Sequence, residues 1–507
     1  MRAHAAEHGR QPALIEGEAT LNYRPLATLM DRIAAALQRG GVGRGDVVAI
    51  CAKTSINYAA AFCGVLAAGA AVAPLAPSST PASIKRMLED CGAKVLFLDQ
   101  DTADILWKAG YPVGLKAVAL DDSDAGEPFS KWLAPEGETL ANVTIRPDDP
   151  FNIIYSSGTT GAPKGIIQPH RMRFGQFLRI SYKGAVTMIS TPLYSNTTLV
   201  LFLATLAHGA TAVLIPKFDA GEFLRISEER HATHAMLVPV QYRRIMERED
   251  FGQYDLSSYV FKLSTSAPFP AALKADVLNR WPGGLVEFYG MTEGGGATML
   301  AAHQFPNKLH TVGRPMPGNE IRIIDEEGRE VENGKTGEVV GRSDMMMTEY
   351  HNLPEKTLKA EWRDAEGRRF IRTGDIGRFD EDGFLILLDR SKDMIISGGF
   401  NIYPSDIEAE LTRHKAVFEA AVVGVASERW GETPVGFVSL REGSKVEAPA
   451  LMDWTNRQLG KTQRLSDLVI LDSLPRSPIG KLLKRELRDL YSIRGGQTGG
   501  GLIAKPA

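Results

Sequence analysis

Short runs of β-branched and aliphatic residues recur along the first three-quarters of the chain, and stretches with helical spacing separate them. Val47-Val48-Ala49-Ile50, Ala93-Lys94-Val95-Leu96-Phe97-Leu98 and Ala212-Val213-Leu214-Ile215 read as strands, whereas Leu26 to Gln38 and Glu222 to Glu229 place their apolar positions on one helix face. Strand and helix in alternation predict a layered α/β fold with mostly parallel sheets. Two long uncharged stretches, Tyr58 to Pro77 and Gly184 to Pro216, fit the same pattern. Pro74 and Pro77 interrupt the first, and Pro192, Ser195, Asn196, Thr197, Thr198 and His208 the second, so both read as buried core and not as membrane spans.

Near residue 390 the pattern changes. Gly383 to Leu388 is strand-like, the charged run Asp389-Arg390-Ser391-Lys392-Asp393 interrupts it, and Met394-Ile395-Ile396 resumes. Ser405-Asp406-Ile407-Glu408 has the form of a capping box opening a helix through Leu411, and Ala420 to Val425 reads as a further strand. The expected organisation is a large domain over 1–390, a hinge at 391–393, a small α+β domain over 394–493 and a flexible glycine-rich tail over 494–507.

Composition narrows the class. At 507 residues the chain exceeds what one hydrophobic core usually supports, and its net charge of −3 offers no global field for nucleic acid or an anionic membrane. Three scattered cysteines, Cys51, Cys63 and Cys91, have no CxxC spacing, which argues against zinc and against a disulfide framework. The first residues lack the apolar core of a signal peptide, so a cytoplasmic enzyme without integral membrane association is expected.

Candidate chemistry begins at Ser156-Ser157-Gly158-Thr159-Thr160-Gly161-Ala162-Pro163-Lys164-Gly165, which follows the apolar run Phe151 to Tyr155. Hydroxyls can donate to phosphate oxygens, glycines allow close backbone approach and Lys164 adds a mobile positive charge. The spacing is not that of a Walker A loop, which ends in Gly-Lys-Ser/Thr. A plain surface loop uses the same residue types, so on this segment alone the two readings stand close together. A second segment, Glu287-Phe288-Tyr289-Gly290-Met291-Thr292-Glu293-Gly294-Gly295-Gly296, joins a ring that can stack on a purine, a carboxylate that can hold Mg²⁺ and glycines that leave space for a ligand. A strand ending in a glycine-rich turn is the simpler alternative.

With Tyr350, Arg372-Thr373-Gly374-Asp375, Asp389 to Asp393, Gly398-Gly399-Phe400-Asn401-Ile402-Tyr403-Pro404 and Pro475-Arg476-Ser477-Pro478-Ile479-Gly480-Lys481 in order behind them, these segments resemble the adenylate-forming superfamily of acyl-CoA synthetases, nonribosomal adenylation domains and luciferases. The resemblance implies that Ser156, Ser157, Gly158, Thr159, Thr160 and Lys164 close over the ATP phosphates, with Thr292 as a further donor and Glu293 placing Mg²⁺. It implies that Tyr289, with Gly290 and Met291 beside it, flanks adenine, and that Ser266-Ala267-Pro268 lies on the other side, where relatives carry a Gly-Ala pattern. Glu287 stands where relatives often carry an amide for the adenine amino group; it either accepts from that group or faces outward. Asp375 is expected on the ribose hydroxyls and Arg390 on ribose or phosphate.

The resemblance further implies that Lys481 reaches the carboxylate and the α-phosphate, with Thr159 and Glu293 completing the catalytic set, while Lys484 and Arg485 are read as solvated helix surface. Reorientation about the hinge residue Lys392 would withdraw Lys481 and present Ser397, Gly398, Gly399 and Phe400 to coenzyme A. Tyr194, Ser195, Thr197, Val238, Gly294, Gly295 and Gly296 are implied to line an apolar, roomy acid pocket, with Ser195 where the family usually has histidine. The expected activity is attack of an aryl, hydroxycinnamic or fatty carboxylate on ATP, giving acyl-AMP and pyrophosphate, then transfer to free coenzyme A. A stand-alone protein that loads a carrier is the alternative, and a homodimer is a possible assembly.

Overall fold

The computed structural model describes residues 1–108, 114–156, 163–177, 181–390, 392–397, 400–460, 463–477 and 480–493. The chain forms two compact units: Met1–Ile321 with Val340–Arg372, and Arg322–Val339 with Thr373–Ala507. Strands and helices alternate through the first unit, as the hydrophobic pattern predicts. The expected strands are found at Val47–Cys51, Val95–Leu98 and Thr211–Leu214, and the expected helices at Tyr23–Arg39 and Ala220–Glu229.

Two large sheets lie wholly within the first unit. The nine-stranded one has a parallel centre running through Gly284–Gly290, Phe261–Ser264, His234–Leu237, Val186–Ile189, Thr211–Leu214 and Pro12–Glu16. In the seven-stranded sheet, Pro150–Ser156 lies beside Ala71–Pro74 in parallel and turns back as the antiparallel strand Lys164–Pro169. Both long uncharged stretches are dismantled into this core. The first supplies the helix Ile56–Ala67 and the strand Ala71–Pro74; the second, the helix Asn196–Ala207 between two strands. Among the described residues no helix is long and apolar enough to cross a membrane. The three cysteines are buried thiols, and burial pushes Cys63 up to about 12 and Cys91 to about 11, which leaves them protonated.

The second unit has a sheet of Phe400–Ile402, Ile395–Ser397, Gly431–Leu440 and Val417–Ser427, with Asp467–Ile470 pairing parallel to Gly431–Leu440. Its division from the first falls at Arg372/Thr373, ahead of residue 390, because Asp375–Phe379 forms an antiparallel hairpin with Leu385–Arg390. The expected capping box at Ser405 does not form. Pro404 opens the helix Pro404–Arg413, Ser405 Oγ donates to Leu388 O, and Glu408 Oε1 accepts from Val422 N at 2.8 Å. A proline at the first helical position makes a side-chain cap less necessary, since its missing N–H is one of the donors a cap would satisfy.

Candidate active site

The antiparallel strands Pro150–Ser156 and Lys164–Pro169 pair Ser156 with Lys164, which sets these two residues side by side. Ser157, Gly158, Thr159 and Thr160 lie outside the described residues. Next to Lys164–Pro169 runs the segment 348–351: His351 N donates to Gly165 O at 2.7 Å and Ile167 N donates to Glu349 O at 3.0 Å. This register sets the Tyr350 ring under the Lys164 ammonium, 4.5 Å from Nζ to the ring centroid. Tyr350 Oη then donates to Glu293 Oε1 at 2.7 Å. Burial, then the Glu293 charge, raises the Tyr350 phenol far above its ordinary range, so it remains a donor at any working pH. Lys164 and Glu293, assigned from separate motifs, therefore meet through one aromatic ring.

The strand Gly284–Gly290 carries Glu287 and Tyr289 two residues apart, on one face. Glu287 does not face outward: it is buried and ion-paired with Lys274 of the helix Ala271–Arg280, whose Nζ also donates to Leu309 O at 2.8 Å and Thr311 O at 3.1 Å. Burial pushes the Glu287 carboxyl up to about 7, with Lys274 opposing. Ser266 holds a left-handed backbone, φ +80°, where a glycine would sit without strain, and its Oγ lies 2.5 Å from Thr197 Oγ1 of the helix Asn196–Ala207. One expected adenine neighbour is thus bonded to one expected acid-pocket residue.

The three glycines after Glu293 do not provide open room. A Cβ at Gly294 would stand 2.0 Å from the Met345 carbonyl oxygen, and one at Gly295 would stand 2.4 Å from Ile371 Cβ. They are needed because the backbone itself packs there, and Ser343 Oγ donates to Gly294 O at 2.9 Å. Space exists beside them, in a small recess of about 60 Å³ bordered by Met172, Gln176, Met291, Asn319, Ser343 and Met345. Val238 is buried at the head of the helix Pro239–Met246, Tyr194 is half-buried with its phenol raised by burial, and Ser195 Oγ is buried with no hydrogen-bond partner among the described residues.

In the second unit, Asp375 and Arg390 are direct partners in the hairpin register, Arg390 Nε standing 3.2 Å from Asp375 Oδ1. Thr373 Oγ1 accepts from Asp375 N at 3.0 Å and donates to Val339 O at 2.7 Å, which fixes the turn. Lys392 is exposed, and the chain beyond it is pinned by Arg488 Nη2 donating to Asp393 Oδ1 at 2.9 Å. Ser397 pairs with an exposed Phe400, while Gly398 and Gly399 lie outside the described residues. Lys481 closes a tight loop in which Ser477 N donates to Lys481 O at 2.7 Å and Lys481 N donates to Ser477 Oγ at 3.1 Å. Arg485 is exposed as expected, but Lys484 is not: its side chain is 15% exposed and ion-paired with Glu408 at 2.8 Å, close to the buried Asp389 carboxyl. The acids on neighbouring elements draw it inward.

Some functional geometry escapes motif reading. Tyr350 is a motif residue whose bridging position only the strand register reveals. Asn152, Gln168 and Arg173 form a buried polar cluster behind Thr292, where Gln168 Nε2 donates to Thr292 O at 2.7 Å. Their signal was a polar residue at an inward position of each of two otherwise apolar strands.

Comparison with known proteins gives the family. Residues 1–351 match the profile of the AMP-binding enzyme family, and residues 406–481 match that of the AMP-binding enzyme C-terminal domain. The fatty acid–[acyl-carrier-protein] ligase ScoC of Streptomyces coeruleorubidus is 32% identical over 96% of this chain and 95% of its own. The 4-coumarate–CoA ligase 3 of Oryza sativa subsp. japonica is 30% identical over 96% and 90%. Among solved structures, ATP-bound MatB from Rhodopseudomonas palustris aligns with a TM-score of 0.85 at 27% identity, covering 96% of each chain. The chain belongs to the AMP-binding, adenylate-forming enzyme family.

Proposed function

We propose that this protein is an acid–thiol ligase acting on a hydrophobic carboxylic acid, aryl, hydroxycinnamic or fatty. A carboxylate oxygen attacks the α-phosphorus of ATP, the bond to the β-phosphate oxygen breaks, and acyl-AMP and pyrophosphate form. A thiol then attacks the acyl carbon, and AMP leaves with the electron pair of the broken anhydride bond. The observation that carries this reading is the Lys164–Tyr350–Glu293 constellation, in which a cation from the phosphate loop and a half-buried carboxylate are held on one ring.

In this reading the loop from Ser156 to Lys164 binds the β- and γ-phosphates. Glu293 suits Mg²⁺ because, among the described residues, Tyr350 occupies only one of its carboxylate oxygens, and Mg²⁺ takes few protein ligands when phosphate and water supply the rest; the ion would offset phosphate charge. Tyr289, Glu287 and Ser266 to Pro268 receive adenine, and Asp375 with Arg390 receives ribose. Lys481 stabilises the charge that develops in the adenylation step. Turning about Lys392 exchanges Lys481 for the Ser397–Phe400 face, because the two half-reactions need different groups at the same carbonyl.

Coenzyme A is the acceptor this reading favours, in line with the rice 4-coumarate–CoA ligase. A carrier protein is the second reading, favoured by the 32% identity to the acyl-carrier-protein ligase ScoC. The test is carboxylate-dependent pyrophosphate release with acids from hexanoate and palmitate to benzoate, p-coumarate and ferulate, with coenzyme A or a carrier protein as acceptor. Release that nearly vanishes in Lys481→Ala is expected. Unchanged release in that variant would refute the role given to Lys481, and no release with any acid would refute the ligase reading.

A further inference from the structure

Arg173, in the helix His170–Phe177, is a fully buried guanidinium whose acceptors among the described residues are all neutral amides. Its Nε donates to Asn152 Oδ1 at 3.0 Å, its Nη2 to Asn196 Oδ1 at 2.7 Å and to Gln168 Oε1, and its Nη1 to Gln176 Oε1 at 3.1 Å. Burial pulls it down to about 9, which leaves it charged at neutral pH. A buried charge is costly unless its surroundings are strongly polarised toward it, and here side-chain amides do this.

The consequence lies in the amides. Arginine has donors only, so each amide must turn its oxygen to the guanidinium and its NH₂ group away. Gln168 spends its NH₂ on Thr292 O. Gln176 borders the small recess beside Gly294, and among the described residues its Nε2 has no hydrogen-bond partner. The other polar side chains of that recess are already used: Asn319 accepts from Ala297 N at 2.9 Å and donates to Pro317 O at 3.1 Å, and Ser343 Oγ donates to Gly294 O. Met172, Met291 and Met345 make the remaining side-chain wall apolar and adaptable.

We propose that Arg173 is a positioning residue that fixes Gln176 as a hydrogen-bond donor in this recess, and that the acid activated by this protein carries a matching acceptor oxygen on its apolar body. The oxygen is an ether, keto or phenolic one, and it lies away from the reacting carboxylate. This rests on the ligase reading above and narrows its substrate class. An acid of equal shape without the oxygen leaves the Gln176 N–H groups unsatisfied on binding, whereas the matching acid does not.

The experiment compares kcat/KM for pyrophosphate release within shape-matched pairs: 4-methoxycinnamate against 4-ethylcinnamate, and a positional series of oxodecanoates against decanoate. The wild type is expected to favour the oxygenated member of at least one pair by roughly fivefold to tenfold, the value of one neutral hydrogen bond. Gln176→Glu keeps an acceptor for Arg173 but has no N–H to offer, so the preference is expected to fall to about one while activity on the plain acid persists. Arg173→Met frees Gln176 to rotate and is expected to lose the preference as well. If Arg173→Met does not fold, Gln176→Glu and Gln176→Leu decide. Acids activated with every ratio near one, or a preference that survives in Gln176→Glu, would overturn the inference and leave the ligase reading standing. No acid-dependent release at all would overturn both.

Discussion

Tyr350 Oη donates to Glu293 Oε1 at 2.7 Å while its ring lies 4.5 Å beneath the Lys164 ammonium, so a single side chain orients an acid and a base drawn from two motifs. Tyr350→Phe keeps the ring under Lys164 and removes only the donor. A hydrogen bond to a charged group is worth about 1.5–3 kcal/mol, so kcat/KM for ATP in carboxylate-dependent pyrophosphate release is expected to fall roughly tenfold to a hundredfold. Tyr350→Ala removes the ring contact too and is expected to fall further. ATP kinetics unchanged in Tyr350→Phe would mean that Glu293 needs no orienting partner.

Glu287 and Lys274 are buried together, and that makes the single and double replacements differ. Glu287→Ala leaves the Lys274 ammonium buried without its carboxylate, the Leu309 and Thr311 carbonyls being its remaining hydrogen-bond acceptors among the described residues. Breaking a buried pair from one side costs about 3–5 kcal/mol, whereas replacing both partners by apolar groups of similar volume is often close to neutral. Thermal unfolding is expected to show Glu287→Ala well below the wild type and Lys274→Met/Glu287→Leu recovering most of the loss. A double variant no more stable than Glu287→Ala would show that the pair acts through something other than its charges.

The contrast between these two pairs bears on how much could be read from sequence. Alternating strands and helices, the loop after Tyr155 and the ordered motifs through Lys481 are legible because each is local: a run, a period or a spacing. The strand register that brings Tyr350 to Glu293 and the helix that brings Lys274 to Glu287 join residues far apart in the chain, and no local pattern records them. Lys484 shows the same limit, since its position on a helix suggested a solvated face and its partner Glu408 comes from another helix. The glycines after Glu293 were visible as glycines, but sequence could not say whether they leave space or admit a neighbouring backbone.

Ser266 sets a strained backbone against a hydrogen bond. A non-glycine residue at φ +80° costs on the order of 1 kcal/mol, and the bond to Thr197 Oγ1 contributes about the same in the opposite sense. Ser266→Gly relieves the first and loses the second, so its thermal midpoint is expected within about 2 °C of the wild type. Ser266→Ala keeps the strain and loses the bond, and it should be the least stable of the three. If alanine matches serine, the hydroxyl contact contributes nothing.

Lys262 gives a pH dependence of definite sign. Its Nζ is buried and donates to the carbonyls of Trp281, Pro282 and Gly283 at 3.1, 2.6 and 2.7 Å, and burial pulls it down to about 7 from an ordinary value of 10.5. Between these two values the unfolded chain binds a proton that the folded chain does not. Stability therefore rises as pH increases through that window and is level below it, where both states are protonated. At about 1.4 kcal/mol per pH unit this amounts to a few kcal/mol, damped in practice by the three carbonyl partners. The thermal midpoint of the wild type is expected to climb by roughly 2–4 °C relative to Lys262→Met between pH 7 and 9, with a constant offset below pH 6.5. Parallel curves for the two proteins across the whole range would show that Lys262 stays charged in the fold.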